Sequence, residues 1–118
     1  MGDIIIKKGK IFGKGVFANR DFNKGEIIIK YNLKLLTKEE FDNISEIEKR
    51  FTHKHWGKIY LYSSPERYVN NSSNPNTIQD LKNKCDIAIR KIHKGEEITT
   101  DASKDDTFWL RITLLINQ

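Results

Sequence analysis

The sequence predicts a mainly β domain with one helical insertion. Three observations lead there. Short runs rich in Ile, Val and Phe recur, each closed by a glycine or a polar turn. Only one segment, residues 37–51, spaces its apolar residues as a helix does. The chain has 118 residues, enough for one modest core and, by default, one domain.

The elements follow in order. "DIIIKKGKIFGKGVFANRDFNKGEIII" is punctuated by Gly9, Gly13, Gly15 and Gly25, the pattern of short strands joined by tight turns. Asn23-Lys24-Gly25 reads as a turn feeding a strand. In "TKEEFDNISEIEKRF", Thr37 and Glu40 have capping-box spacing, which satisfies free amides at a helix start. Phe41, Ile44, Ile47 and Phe51 then recur at helical intervals, so one continuous helix is expected. "HWGKIYLYS" returns to a strand pattern and ends at Ser63-Ser64-Pro65. "ERYVNNSSNPNT", residues 66–77, holds four Asn and little to bury. In "CDIAIRKIHKGEEITTD", Ile87, Ile89 and Ile98 mark strands around a turn at His93-Lys94-Gly95. "KGE" thus occurs twice, at 24–26 and 94–96, which reads as two similar hairpin-like turns and not a repeat architecture. The tail "DTFWLRITLLINQ" is apolar and aromatic, and is expected to dock on the body.

Composition narrows the function classes. Lys and Arg number 21 against 16 Asp and Glu, a net charge of +5. The basic residues are scattered and not interleaved with aromatics, so a nucleic-acid-binding β domain ranks last and no direct nucleic-acid partner is expected. Cys85 is the single cysteine, which excludes an intramolecular disulfide and a Cys-based zinc cluster. Its place at the start of a strand-like run suggests an inert, at least half-buried thiol. His53 and His55 form an H-x-H pair with no third ligand nearby in sequence, and read as exposed histidines at a helix end. Asp101, Asp105 and Asp106 lack EF-hand spacing and read as a solvated turn. No metal is expected. No signal-peptide pattern and no membrane-length apolar run is visible, so a soluble, intracellular chain without a membrane partner is expected.

"GKGVFA" (13–18), "ERYVNNSSNPNT" and "KGEEITTDA" occur in that order. Together they resemble the SET domain of protein-lysine methyltransferases, with its G-x-G-x-x-A, R-F-I-N-H-S-C-x-P-N and G-E-E-L-T-Y-D-Y motifs. Any one match is weak; three in order across a chain this short are specific. The resemblance implies a single SET domain over residues 1–118, a β-clip-like fold of small curved sheets with a C-terminal pseudoknot. Residues 37–56 would be its variable helical insertion and 104–118 its aromatic tail.

The resemblance also implies chemistry: methyl transfer from S-adenosylmethionine to a lysine of a protein substrate, by a monomer or homodimer. By position, Phe12, Gly13, Lys14, Gly15, Arg67, Tyr68, Asn70, Asn71 and Trp109 would hold the cofactor. Tyr31 matches the tyrosine that lines the lysine channel, with Thr100 and Phe108 also placed there. Three positions depart from the family. Asn71 stands for a His, Thr100 for an aromatic, and Ala102 for the catalytic Tyr. Those departures motivate an alternative, a catalytically impaired module that binds cofactor or peptide.

Overall fold

The computed structural model describes residues 2–11, 13–55 and 57–101. In chain order its strands are β1 (Ile4–Lys8), β2 (Lys14–Ala18), β3 (Ile27–Lys30), β4 (Lys34–Leu36), β5 (Thr52–His55), β6 (Lys58–Leu61), β7 (Asn70–Asn71), β8 (Thr77–Asp80), β9 (Cys85–Ala88) and β10 (Glu97–Thr100). The helices α1 (Lys38–Asn43) and α2 (Glu46–Lys49) lie between β4 and β5, and a 3-10 turn spans Glu66–Tyr68. The described chain forms two compact units, one from residues 1–31 and 64–101, the other from residues 32–63.

The larger unit holds two small sheets, ordered β1-β2-β10-β7 and β3-β9-β8. Its core is Val16, Ala18, Phe22, Ile28, Ile29, Ala88, Ile92 and Ile98. Both "KGE" turns form, and the likeness between them runs further than the turns. Residues 18–28 and 88–98 share the pattern Ala-x-Arg-x-apolar-x-Lys-Gly-Glu-x-Ile. In each arm the glycine takes positive φ, 93° at Gly25 and 95° at Gly95, which glycine adopts without a Cβ penalty. In each the following glutamate's carboxylate accepts from the amide three residues back, Glu26 from Asn23 at 2.6 Å and Glu96 from His93 at 2.9 Å. The arms also bond to one another reciprocally. Gly25 N–H donates to the Ala88 carbonyl and Gly95 N–H to the Ala18 carbonyl, both at 2.8 Å. Phe22 and Ile92 exchange backbone bonds at the centre. The buried side chains of that bridge close the core between the arms.

The smaller unit corrects two expectations. The single helix expected from residue 37 is two short helices. Thr37 and Glu40 do form the capping box. The helix then breaks at Ile44, which is extended, and Ser45 caps a second start by accepting from Glu48 N–H at 3.1 Å. Ser45 offers its hydroxyl to an amide that a continuous helix would have used, the competition that makes serine a better cap than helix interior. The histidines are the second correction. They lie on β5 within the sheet β4-β6-β5, not at an exposed helix end. His55 is 2% exposed and its Nε2 lies 2.7 Å from the Tyr62 hydroxyl, while half-buried His53 packs its ring 4.1 Å from that of Tyr62. Lys34, Leu36, Glu40, Asn43, Ile44 and Leu61 line an open groove in this unit. Among the described residues no helix is long and apolar enough to cross a membrane.

Candidate active site

The polar run 66–77 is tied into the larger unit by its side chains. Asn76 is 2% exposed, yet every polar group of its amide has a partner on β10. Its Nδ2 donates to the Glu97 carbonyl at 2.8 Å, and its Oδ1 accepts from Thr99 N–H at 2.8 Å. One side chain thus stands in for a neighbouring strand. Thr77 adds a bond from its hydroxyl to the Thr99 carbonyl at 2.7 Å. Buried polar groups need such partners, and short amides and hydroxyls fit where bulk would not.

Strand β10 changes partner along its length. It first runs antiparallel to β2, with Ile98 opposite Val16, then parallel to β7, with Thr99 opposite Asn70 and Thr100 opposite Asn71. The Asn70 amide spans this handover, donating to the Glu97 carboxylate at 2.7 Å and to the Lys14 carbonyl at 3.2 Å. The other oxygen of Glu97 accepts from Lys10 N–H at 2.8 Å. A buried carboxylate held by two donors makes a rigid joint between the glycine turn, β10 and the Asn segment. Gly15 is required here. A Cβ on it would lie 2.6 Å from Glu97 Oε2 and 2.9 Å from the Gly9 Cα. The glycine turn thus lets backbone come close to the Glu97 carboxylate.

A second polar group lies on β9. Asp86 is 1% exposed and accepts a hydrogen bond from the Tyr31 hydroxyl. Burial pushes its carboxyl up to about 7, against the pull of the Tyr31 bond and with a further push from Glu66. Next to it Cys85 is buried, and burial beside Asp80 and Asp86 pushes its thiol up, as expected of an inert cysteine.

The sequence-selected residues are therefore partly assembled. Lys14, Gly15, Asn70 and Thr100 meet around β10, with Asn71 exposed at the end of β7. Tyr68 is half-buried against the core, with the Lys14 Nζ 5.2 Å from its ring centroid. Arg67 is half-buried in the 3-10 turn, and Gly13 has positive φ with open space where a Cβ would stand. Thr100 Oγ1 is buried and has no hydrogen-bond partner among the described residues. Tyr31 packs against the core with its hydroxyl directed to Asp86. Phe12, Ala102, Phe108, Trp109, Asp105, Asp106 and the tail 104–118 lie outside the described residues, as does any C-terminal knot. Glu97, Asn76 and Asp86 were not singled out from sequence. Glu97 had a signal, as the second glutamate of "GEE" at the head of an apolar strand. Among the described residues no group of three or more His, Cys, Asp or Glu is placed to hold a metal.

Small sheets locked by an Asn-rich segment beside a second Lys-Gly-Glu arm define the class of fold that the motifs imply. A family model for the SET domain matches residues 13–101, and the chain belongs to the SET domain family. Among curated proteins it is 32% identical over 123 aligned residues to "Histone-lysine N-methyltransferase trr" of Drosophila melanogaster, covering 87% of this chain. It is also 32% identical to a variant-silencing SET domain-containing protein of Plasmodium falciparum, covering 90% of this chain. The chain spans only 5% of the length of each of these relatives. A crystal structure of a Plasmodium falciparum protein described as a candidate histone methyltransferase aligns with TM-score 0.71 and 22% identity, covering 92% of this chain and 98% of that one. A chain of a humanised mutant of the Chaetomium thermophilum Polycomb Repressive Complex 2 aligns with TM-score 0.68 and 21% identity, over 87% of this chain and 15% of that one. These structural likenesses establish the fold.

Proposed function

We propose that the chain is a protein-lysine N-methyltransferase that uses S-adenosylmethionine. The observation that supports this best is the joint of Lys14, Gly15, Asn70 and Glu97. It gathers residues from all three motifs at one place. The residues present suit the cofactor. Gly13 leaves open space, Asn71 is exposed beside half-buried Asn70, and the Thr100 hydroxyl is buried with a bond to spare among the described residues. Gly13, Lys14, Asn70 and Asn71 would hold the cofactor's polar end, with Phe12, Arg67, Tyr68 and Trp109 assigned by resemblance. When bound, S-adenosylmethionine supplies a methyl group on a positively charged sulfonium.

The chain's task is then alignment and proton control. A free lysine has a pKa of about 10.4 and must lose its proton to attack. An apolar channel beside a positive charge favours the neutral amine. Tyr31, Thr100 and Phe108 are the channel residues on this reading. Alignment of the reacting atoms supplies much of the remaining acceleration. Ala102 removes the hydroxyl expected there, and a positioned catalytic group is worth roughly 10²–10⁴-fold. Turnover is accordingly slow. Because two curated relatives are named for histone lysines or variant silencing, histone-derived lysine peptides are the first substrates to try. Labelled cofactor should mark such peptides, with Lys→Arg peptides blank and Ala102→Tyr faster. No transfer by either the native chain or Ala102→Tyr rejects the reading. The second reading, a module that binds without turnover, is favoured by Ala102 with Asn71. Calorimetric binding of S-adenosylmethionine with no transfer would select it.

A further inference from the structure

The outer face of the sheet β3-β9-β8 is apolar, where an antiparallel sheet ordinarily turns polar residues to water. Its inner face holds Ile29, Asp86, Ala88 and Thr77, all buried. On the opposite face Ile27, Ile87 and Ile78 are in register and form one row across the three strands. Ile27 is 48% exposed and Ile78 44%, with Ile87 half-buried between them. Ile89, two residues on from Ile87, continues the face and is 39% exposed. A bulge in β3 sets this up. The register shifts between Ile27 and Ile29, so that Ile28 and Ile29 both turn inward while Ile27 and Lys30 both stay outside.

The next row of the same face is Lys30, Cys85 and Asp80, which puts opposite charges at the two edges of the sheet. Burial, then the charges of Asp80 and Lys30, act on the Cys85 thiol between them. The Asp80 carboxylate is fixed in place. It accepts from the Asn83 side chain at 2.8 Å and from the Asn83 N–H at 3.1 Å, which hold its carboxyl below the usual range. The face is thus an isoleucine strip with one positive and one negative edge.

We propose that this face is where two copies of the chain meet, sheet on sheet, about a twofold axis parallel to β9. Such an axis lays β3 of one copy over β8 of the other. Ile27 then packs against the partner's Ile78, and Ile87 meets its own counterpart near the axis. Lys30 faces the partner's Asp80, and symmetry repeats that pair at the other edge. A foreign partner would need a matching strip with its charges reversed across it. A second copy supplies that match by symmetry alone. Three strands about 4.8 Å apart and a run from Cys85 to Ile89 at about 3.4 Å per residue give the face a footprint of roughly 250 Å². A standard interface takes about 800 Å² from each partner, so association in the high-micromolar range is expected. Lys82 and Lys84 follow in the turn between β8 and β9. Their repulsion across the axis is a further reason for weak association.

Sedimentation of the full chain from micromolar to millimolar concentration tests this. Native protein should pass from monomer to dimer. Ile78→Lys, at an exposed site, should melt as native does and stay monomeric. Lys30→Asp and Asp80→Lys each set like charges against one another at both edges, and each alone should associate about tenfold or more weakly. An equimolar mixture of those two variants pairs opposite charges again and should associate as native does. A second measurement does not depend on any variant. Carbodiimide coupling of isotope-labelled with unlabelled native chains should join Lys30 of one to Asp80 of the other. A native chain that stays monomeric throughout overturns the proposal, and so does Ile78→Lys associating like native. A mixture no stronger than its separate variants, with no mixed-label Lys30–Asp80 link, overturns the twofold arrangement.

Discussion

After the Lys-Gly-Glu turn of the first arm comes Ile27, 48% exposed; after that of the second comes Glu97, 9% exposed. The same exchange recurs at other equivalent positions. Buried Ile29 faces the core where buried Thr99 bonds to Asn76, and Val16 stands where Asp86 does. The turns, the positive-φ glycines and the Phe22–Ile92 bridge are common to both arms. The first arm therefore needs packing and little else. The second has the same scaffold and places a polar group at each exchange, and Glu97, Thr99 and Asp86 each have a specific partner. Fold is shared between the arms, while the candidate chemistry belongs to the polar replacements in one of them.

That contrast can be broken by substitution, and the largest effect should come at Asn76. Asn76→Ala strands the Glu97 carbonyl and the Thr99 amide. At about 1–3 kcal/mol for each buried unsatisfied group, a loss of about 3–5 kcal/mol is expected in urea unfolding. Asn23→Ala, in the turn of the first arm, removes no comparable side-chain network and should shift the midpoint by less than about 0.5 kcal/mol. Equal losses would dissolve the distinction.

Next in size is the pH dependence of stability. The Asp86 carboxyl holds its proton more tightly in the folded state, at about 7 against 3.8. Between those values the unfolded chain binds fewer protons, so stability from this group is highest at acid pH and is lost as pH rises through the window. At 1.36 kcal/mol per unit the loss is up to about 4 kcal/mol. Denaturant titrations of native protein and Asp86→Asn should diverge over this range and run parallel above it. Parallel curves throughout would place Asp86 in water.

Gly15 comes third. Gly15→Ala pushes a Cβ against the Gly9 backbone and the Glu97 carboxylate, and overpacking of this kind destabilises by about 1–3 kcal/mol. At the equivalent position of the second arm, Cys85→Ala removes a sulfur from a buried site and should lose about 1 kcal/mol. The smallest effect sharpens the comparison from the other side. Arg20 and Arg90 each lie 3.4 Å from their arm's glutamate, with side chains 42% and 45% exposed. Arg90→Ala should give a barely measurable shift in melting temperature and Arg20→Ala a somewhat larger one, since Arg20 also pairs with Asp3 and covers the Phe22 ring.

Much of the scaffold was legible because its signals are local. A lysine-glycine-glutamate turn before an isoleucine run needs only neighbouring residues, and so does the Thr37–Glu40 cap. The helix break was legible in principle, since Ser45 and Glu48 repeat the cap spacing, but the apolar period of Phe41, Ile44, Ile47 and Phe51 masked it. His55 was misplaced because that period was carried too far and hid a short strand. The site was less legible than the scaffold. Its key groups meet partners distant in sequence: Lys10 and Glu97 are 87 residues apart, Tyr31 and Asp86 are 55 apart. Nothing in "CDIAI" says that the aspartate turns inward. The motif resemblance found Lys14, Gly15 and Asn70 as a set, and the structure supplies Glu97 as the group that joins them.

The central claim is that the joint around Asn70 and Glu97 holds S-adenosylmethionine. Calorimetric titration of the native chain with S-adenosylmethionine, beside Asn70→Ala and Asn23→Ala of confirmed fold, tests it most directly. Saturable one-to-one binding is expected, about tenfold weaker in Asn70→Ala and unchanged in Asn23→Ala. No binding by the native chain, or equal binding by Asn70→Ala, contradicts the claim.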